Sequence, residues 1–237
     1  MKVSLVIPMY NESAIIADTL RQTSEYMDAT FGGDFEIIFS DDGSTDNCRA
    51  VVDSFSEQFP AVRSVGYESN RGKGSAIRTG VLAAKGDIVI FTDCDLAYGL
   101  DVVKRAVDIF DGSPETDIVI GSRNLSSDGY EGYTFIRKLA SKTYIKCLAL
   151  AAGFRLSDSQ CGFKCFRRET AQKIFGTCEV DGFAFDFEVL IKAKNLGVKI
   201  TEMPVKVINH RASKVNVLRD SFRMLRDIRR IKKRNRV

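Results

Sequence analysis

Runs of apolar residues alternate with stretches of helical periodicity through the first half of the chain. Five short apolar runs, typical of strands buried on both faces, lie at 3–8, 35–40, 62–67, 87–92 and 117–122. Amphipathic stretches at 13–29, 46–58, 74–84 and 101–111 separate these runs. The alternation predicts an α/β fold with a mostly parallel central sheet flanked by helices.

The pattern changes after residue 123. Apolar or small residues at helical spacing predict longer helices at 136–151 and 185–196, and short strands near 163–167 and 199–208 are expected to extend the sheet. No internal repeat or Pro/Gly/Ser-rich linker interrupts the chain. We therefore expect one domain over residues 1–212, followed by a basic amphipathic helix over 213–237.

Composition limits the classes of protein that this sequence can encode. The 237 residues are 44% hydrophobic, enough for one large core, and the longest apolar run is far shorter than the roughly 20 residues that cross a bilayer. No signal peptide is evident at the start, so a cytoplasmic protein with reduced thiols is expected. Cys161 and Cys165 are four positions apart, but His210 is the only histidine, so core packing is favoured over structural zinc.

Acidic residues directly follow two of the predicted strands. Asp41 and Asp42 come after the second apolar run, and Asp93 and Asp95 come after the fourth. Ligands bind at the carboxyl ends of strands in α/β sheets, and two close carboxylates repel unless they share a cation or a proton. Mg²⁺ or Mn²⁺ on a substrate diphosphate would suit the Asp93 pair, and the Asp41 pair would face a nucleoside. The alternative is that these side chains bond backbone N–H groups in turns or at a helix start.

The sequence SNRGKGSAIRTG at 69–80 contains glycines and a lysine in a pattern that resembles a phosphate loop. A Walker A motif is excluded because Tyr67 and Gly74 occupy its diagnostic positions, and a dinucleotide fingerprint lacks its last glycine. ATPase and NAD-dependent activities are therefore disfavoured. The remaining candidate contacts to the anionic or polar groups of a nucleotide are Asn70, Arg71 and Lys73, on a loop that opens a predicted helix.

The end of the chain is strongly basic. Residues 214–237 contain ten Lys or Arg and two Asp, although the whole chain carries a net charge of only +4. Apolar residues recur there at three- or four-residue spacing: Leu218, Phe222, Leu225, Ile228 and Ile231. This pattern is typical of a helix that lies on an anionic bilayer. The alternative is a helix packed on the domain with a solvated basic end. Nucleic-acid binding is disfavoured because aromatic residues are nearly absent from this segment.

Several sequences, taken together and in order, resemble glycosyltransferase family 2. They are VSLVIPMYNES, DDGSTD, NRGKGSAIRTG, TDCD, GSR and DSQCGFKCF, and FAFDFEVLIKA, VKITEMPV and SKVNVLRDSFRMLRDI extend the resemblance to nearly the whole chain. QCGFK with AFDFE is most similar to the branch of dolichyl-phosphate β-glucosyltransferases and related polyprenyl-phosphate enzymes. The resemblance implies a GT-A fold with a Rossmann-like sheet. It also implies inverting transfer of a hexose, assigned as glucose from UDP-glucose, to a polyprenyl phosphate of the dolichyl type.

The resemblance also implies roles for individual residues. Asp93 and Asp95 would bind the ribose and Mg²⁺ or Mn²⁺, and Lys73 would assist departure of the diphosphate. Ala97 stands where the mannose synthases of the family have a further metal ligand, Gln, so ligation would be thinner or completed elsewhere. The residues implied to surround the nucleotide are Pro8, Tyr10, Asn11, Glu12, Asp41, Asp42, Asn70, Lys73 and Asp93. Those implied to contact the acceptor phosphate are Arg123, Arg137 and Ser141.

Asp158 is a candidate for a residue near the anomeric carbon, as a base or as a ligand of sugar hydroxyls, and a loop cap is the alternative. Polyprenyl phosphate is already ionised near pH 7, so a strong base is not obligatory. The candidate catalytic residues are therefore Asp95, Lys73 and Arg123 together with Asp158. The enzyme would lie peripherally on the cytoplasmic face of a membrane, with room for a membrane-protein partner. The alternatives are GDP-mannose or another donor, a soluble carbohydrate acceptor, or a non-catalytic nucleotide-binding subunit.

Overall fold

A single twisted sheet forms the centre of the computed structural model, which describes residues 1–129, 156–209, 226–228, 230–231 and 233–234. Its strands are β1 (Val3–Met9), β2 (Phe35–Asp41), β3 (Val62–Gly66), β4 (Ile88–Phe91), β5 (Ile118–Ser122), β6 (Lys164–Arg167) and β7 (Ile200–Pro204). The helices are α1 (Ile16–Phe31), α2 (Cys48–Ser56), α3 (Lys73–Ala83), α4 (Asp101–Gly112), α5 (Arg168–Phe175) and α6 (Phe185–Leu196). A single 3₁₀ turn, Arg123–Leu125, follows β5.

The strand order is β3-β2-β1-β4-β6-β5-β7. All neighbouring pairs are parallel except those of β6, which runs antiparallel to both β4 and β5. The predicted α/β fold with a Rossmann-like, mostly parallel sheet is confirmed. The expectation that both late strands extend the sheet is confirmed: β7 lies at its edge, and β6 is inserted between β4 and β5, a position that the sequence pattern did not specify. Just before β6, Phe163 O accepts a hydrogen bond from Gly121 N in β5 at 3.0 Å.

Both faces of the sheet are covered, as the continuous apolar strands predict. In β1, Leu5 and Ile7 join a core formed with α1, α2 and α4, while Val6 between them joins a second core formed with α3, α5 and α6. Burial on both faces removes most apolar side chains of the strands from water, and this is the main stabilising contribution to the fold. The strand ends are thus held in fixed positions, which matters for the residues that follow them.

The second half of the chain contains one helix, α5, that was not predicted from the sequence. The helix expected at 185–196 is confirmed, and α5, which the sequence pattern did not predict, places Ile174 and Phe175 in the second core. The helix predicted at 136–151 lies outside the described residues. The second core is therefore completed by α5 and α6 from the second half of the chain.

The described part of the C-terminal segment is helical and contacts the domain. Ile228 and Ile231 are buried in the second core, and Arg234 forms an ion pair with Glu179. This end of the segment follows the packed alternative, while Leu218, Phe222 and Leu225 lie outside the described residues. The division into 1–212 and 213–237 stays a prediction. None of the helices in the described ranges has the length and hydropathy needed to cross a membrane.

Candidate active site

The carboxyl ends of β1, β2 and β4 meet at one edge of the sheet. In the parallel register Met9 is opposite Asp41, and Val6 is opposite Phe91. The N–H of Asp42 donates to Met9 O at 2.9 Å, so the first turn after β2 is bonded to the end of β1. The residues that follow these three strands are therefore neighbours in space.

Asp93 and Asp95 lie beyond β4 at this edge, with Lys73 beside them. Lys73 Nζ is 2.5 Å from Asp93 Oδ1, and both side chains are partly exposed. Burial lowers the pKa of Lys73, but the Asp93 carboxylate outweighs burial and holds that pKa above its ordinary value, so the ammonium stays charged. Burial, and next the charge of Asp93, raise the pKa of Asp95. The group combines two carboxylates with one ammonium and is short of positive charge.

Asp95 also makes the turn contact that was the alternative to metal binding. Its Oδ1 accepts a hydrogen bond from Ala97 N at 3.1 Å. The other alternative, a helix cap, is not observed: α4 begins at Asp101, and Asp95 does not cap it. Among the contacts described, the Asp95 carboxylate therefore accepts one hydrogen bond, from a backbone N–H two residues later.

Asp42 has the opposite environment. Its buried carboxylate accepts hydrogen bonds from Tyr67 Oη at 2.6 Å, Asn70 Nδ2 at 2.9 Å, and the backbone N–H groups of Arg71 and Gly72 at 2.9 Å each. These four donors come from one loop, which Asp42 holds in place. In this arrangement Asp42 and Asn70 bind each other and organise the loop that leads into α3.

Asp41 and Asn11 join the loops after β1 and β2. Asp41 Oδ1 accepts hydrogen bonds from Ser44 N at 3.1 Å and Ser44 Oγ at 2.5 Å, the turn arrangement that was its alternative reading. Asn11 has a φ of 52°, and its Oδ1 accepts from Thr45 N at 2.8 Å while its N–H donates to Ser44 Oγ at 3.0 Å. Asp41 and Asn11 thus brace the edge of the site.

The remaining residues predicted near the nucleotide lie on the same edge. Pro8 is half-buried in β1 opposite Ser40, and the Tyr10 side chain is 38% exposed just beyond the strand. Glu12 accepts the first backbone bonds that lead into α1, and its charge adds to the raised pKa of Asp95. Tyr10 is the aromatic surface that the site presents to solvent at this point.

The start of α3 does not offer free backbone N–H groups at Gly74 and Ser75. Both donate to Asp181 O, at 2.7 and 3.2 Å. A Cβ on Gly74 would lie 2.6 Å from Val180 O, so the glycine lets the segment around Asp181 approach the helix start closely. The expected contact between a nucleotide and this helix start is therefore left to side chains, chiefly that of Lys73.

Arg123 and Asp158 bind each other. Asp158 Oδ2 accepts from Arg123 Nε at 2.6 Å and from Arg123 N at 3.1 Å, and Asp158 Oδ1 accepts from Nη2 at 2.9 Å. Gln160 N also donates to Asp158 Oδ1, at 3.3 Å, which is the loop cap that was the alternative role. Asp158 is fully buried, so in this arrangement its carboxylate is engaged in protein contacts. Arg137 and Ser141 lie outside the described residues.

Sequence reasoning missed a second buried ion pair near the site. Lys164 Nζ donates to Asp186 Oδ1 at 2.6 Å and to Cys161 O at 2.7 Å, and Lys164 is fully buried. The signal was a lysine between the apolar residues Phe163 and Cys165, since a buried lysine needs an acidic partner. Cys161 and Cys165 pack in the first core as free thiols.

Comparison with known proteins gives the relationship. Residues 4–175 match the family model described as glycosyl transferase family 2. The chain is 32% identical to a dolichyl-phosphate β-glucosyltransferase of Dictyostelium discoideum, covering 97% of this chain and 73% of that protein. It is 31% identical to the enzyme of that name from Saccharomyces cerevisiae, covering 95% and 72%.

A solved structure agrees in fold. Glucosyl-3-phosphoglycerate synthase from Mycobacterium tuberculosis, in complex with Mn²⁺, UDP-glucose and phosphoglyceric acid, superposes with a TM-score of 0.71 at 23% identity, covering 100% of this chain and 80% of that one. The architecture is the GT-A fold that the sequence predicts. With a family model that matches most of its length and these relatives, this chain belongs to glycosyl transferase family 2 and is a glycosyltransferase.

Proposed function

We propose that this chain transfers glucose from UDP-glucose to a polyprenyl phosphate of the dolichyl type, with inversion at the anomeric carbon. The two relatives described above are named for transfer to dolichyl phosphate, and the solved neighbour holds UDP-glucose with Mn²⁺. The donor-binding half of the proposal is supported by the site itself, and the acceptor half by the relatives.

The acidic pair beyond β4 is the observation that carries the proposal. Asp93 already has a cation, the Lys73 ammonium, at 2.5 Å, yet one ammonium does not balance the two carboxylates. Mg²⁺ and Mn²⁺ take one or two carboxylates and complete their coordination with water and substrate phosphates. Within the described ranges no cluster of three or more His, Cys, Asp or Glu side chains forms an all-protein metal site. Asp93 and Asp95 therefore fit a divalent cation that is shared with a diphosphate.

The residues divide the work of the reaction. Asp93 and Asp95 would hold the cation, which when bound supplies Lewis-acid stabilisation of the leaving diphosphate. Lys73 places a fixed positive charge beside the same group. An oxygen of the acceptor phosphate attacks the anomeric carbon, and the bond from that carbon to the diphosphate breaks with its electron pair. Pro8, Tyr10, Asn11 and Glu12, with the loops that Asp41 and Asp42 organise, would form the nucleoside side of the site.

The acceptor phosphate needs positive charge rather than a base. It is ionised near neutral pH, so attack requires no proton removal by the enzyme. Arg123, with Arg137 and Ser141, is proposed to lie near this phosphate, because an arginine fork matches phosphate geometry. Arg123 is bound to Asp158, which holds the guanidinium at the end of β5. In this proposal Asp158 acts by positioning and not as a base.

A transfer screen tests the proposal. The purified full chain is incubated with radiolabelled UDP-glucose, GDP-mannose or UDP-N-acetylglucosamine, with polyprenyl phosphate or phosphoglyceric acid as acceptor, with and without Mn²⁺. We expect label in the lipid phase from UDP-glucose only, and only with metal. Label from another sugar would change the donor, and label on phosphoglyceric acid would indicate a soluble phosphate acceptor. Failure of every combination would overturn the proposal.

We also propose that the chain acts peripherally at the cytoplasmic face of a membrane. The basic segment before residue 226 carries Leu218, Phe222 and Leu225, whereas Ile228 and Ile231 further along are packed on the domain. Flotation with anionic and neutral vesicles tests this, using the full chain and a Leu218→Ser/Phe222→Ser variant. Binding to anionic vesicles that the variant loses is expected. Equal flotation of both proteins would contradict a membrane role for this segment.

A further inference from the structure

The segment from Asp158 to Lys164 forms a wall beside the acidic pair. It leads into β6, whose antiparallel register with β4 places Lys164 opposite Phe91. Two residues before Lys164 and two residues after Phe91, the same register brings Gly162 next to Asp93. A residue from the distant second half of the chain thus lies against the first carboxylate of the proposed metal site.

Gly162 leaves the space that the Asp93 carboxylate occupies. A Cβ built on Gly162 would lie 2.2 Å from Asp93 Oδ2 and 3.0 Å from Asp93 Cγ. Gly162 does not adopt a left-handed φ, so the backbone conformation does not require glycine here. The N–H of Gly162 donates to Tyr98 Oη at 3.1 Å, and Tyr98 is buried. What demands glycine at this position is close approach, and the atom approached is a carboxylate oxygen.

Each end of this wall is fixed by a buried ion pair. Asp158 is bound by Arg123 at the end of β5, and Lys164 is bound by Asp186 in the first turn of α6. Buried ion pairs add little net stability, but a charge that loses its partner is costly, so such pairs fix the elements that carry them. The backbone of Gly162 is therefore held at a set distance from β4.

Asp93 is consequently confined from two sides. Lys73 Nζ binds Oδ1 at 2.5 Å, and Oδ2 occupies the space that a Cβ on Gly162 would fill. A carboxylate that must ligate a cation works best when its orientation is set before the ligand arrives. Lys73 and Gly162 thus face different oxygens of the Asp93 carboxylate.

We propose that Gly162 is a positioning residue for Asp93, which sets the orientation of that carboxylate toward a divalent cation bound with a nucleoside diphosphate. The inference rests on the proposed function, because it assumes the cation at Asp93 and Asp95. The QCGFK segment, residues 160–164, would thus act at the donor site, by leaving space for Asp93, and not at the acceptor phosphate.

Alanine substitutions at two glycines test the proposal. Gly162→Ala introduces a methyl group against Asp93, and Gly112→Ala is the matched control, because a Cβ at Gly112 meets no atom within 4 Å. Mn²⁺ binding in the presence of UDP is measured by electron paramagnetic resonance on the full chain. We expect Gly162→Ala to weaken Mn²⁺ binding by about tenfold or more and Gly112→Ala to leave it unchanged.

A second background keeps the test informative if Gly162→Ala is unstable. Thermal unfolding is compared for Gly162→Ala in the unsubstituted chain and in an Asp93→Ala chain, where the obstructing carboxylate is absent. We expect the glycine substitution to lower the melting temperature in the first background and to have little effect in the second. Unchanged Mn²⁺ binding by Gly162→Ala, or an equal loss of melting temperature in both backgrounds, would overturn the inference. If the unsubstituted chain with UDP binds no Mn²⁺, the proposed function itself fails.

Discussion

Two acidic pairs follow parallel strands at the same edge of the sheet, and their surroundings differ. The pair after β2 contains a saturated carboxylate: Asp42 accepts hydrogen bonds from four donors, and Asp41 accepts two more from Ser44. The pair after β4 has one ammonium on Asp93 and one backbone N–H on Asp95 among the contacts described. Buried carboxylates with a full set of donors hold loops in place, whereas close carboxylates with few donors need a ligand.

The difference is useful because the two pairs look alike in sequence. Both stand at the end of a buried apolar run, and either pair could have been a set of turn residues. Hydrogen-bond saturation separates them: the first pair shapes the nucleoside side of the edge, and the second retains capacity for a cation. The predictions below test whether this separation holds.

The largest effect is expected at the unsaturated pair. Asp95→Asn removes a metal-binding charge, so metal-dependent transfer should fall by about 100-fold or more, while relief of the repulsion from Asp93 keeps the melting temperature equal or higher. Radiolabel transfer and thermal unfolding are measured on the purified variant. Asp87→Asn, whose side chain is 71% exposed at the opposite end of β4, is the control. Full activity of Asp95→Asn would refute the metal assignment.

A smaller effect is expected at the saturated pair, and it should appear mainly in the free energy of unfolding. Asp42→Ala leaves the donors of one loop without their acceptor, so the free energy of unfolding should fall by about 3 kcal/mol. Urea unfolding measures it, with Asp28→Ala, an exposed position on α1, as the control. If Asp42→Ala kept its stability and lost only UDP binding, Asp42 would be a ligand residue and the comparison would break down.

The smallest effect is expected at Asp46, close in sequence to the pair after β2, as a pH dependence of the free energy of unfolding. Hydrogen bonds from Ser13 and Cys48 overcome the effect of partial burial and lower the pKa of Asp46 to about 2. A lowered folded-state pKa stabilises the fold above the unfolded value near 4, and this contribution is lost as the pH falls toward 2. Asp46→Asn should therefore cost under about 1 kcal/mol at pH 7 and almost nothing at pH 2. Urea midpoints of both proteins at several pH values measure the difference. A gap that stays constant with pH would contradict the assigned pKa.

Much of the fold was accessible from sequence because its first half consists of local βα units. Apolar periodicity located β1 to β5 and the helices between them, since each of these elements carries its own local pattern of apolar residues. It could not show that β6 enters between β4 and β5, because strand order depends on contacts between distant residues. Nor did it show α5, whose eight residues are too few to establish a helical period firmly.

The candidate site was predicted in its side chains and missed in its backbone contacts. Asp93, Asp95 and Lys73 could be identified because the residue type itself gives the charge of the side chain. The carbonyl of Asp181 at the start of α3 and the bare Cα of Gly162 beside Asp93 leave no comparable mark, since any residue has a carbonyl and glycines have many uses. The pairing of Arg123 with Asp158 was missed for another reason: each residue was assigned a ligand of its own, although opposite charges in one fold also bind each other.

The insertion of β6 has a consequence for how the enzyme is made. During synthesis β1 to β4 emerge first and can pair with one another. The strand that joins β5 to β4 is β6, which emerges more than forty residues after β5. The wall against Asp93 is thus completed late. A nascent chain that stops before Gly162 would carry both acidic pairs and still lack the residue that lies against Asp93.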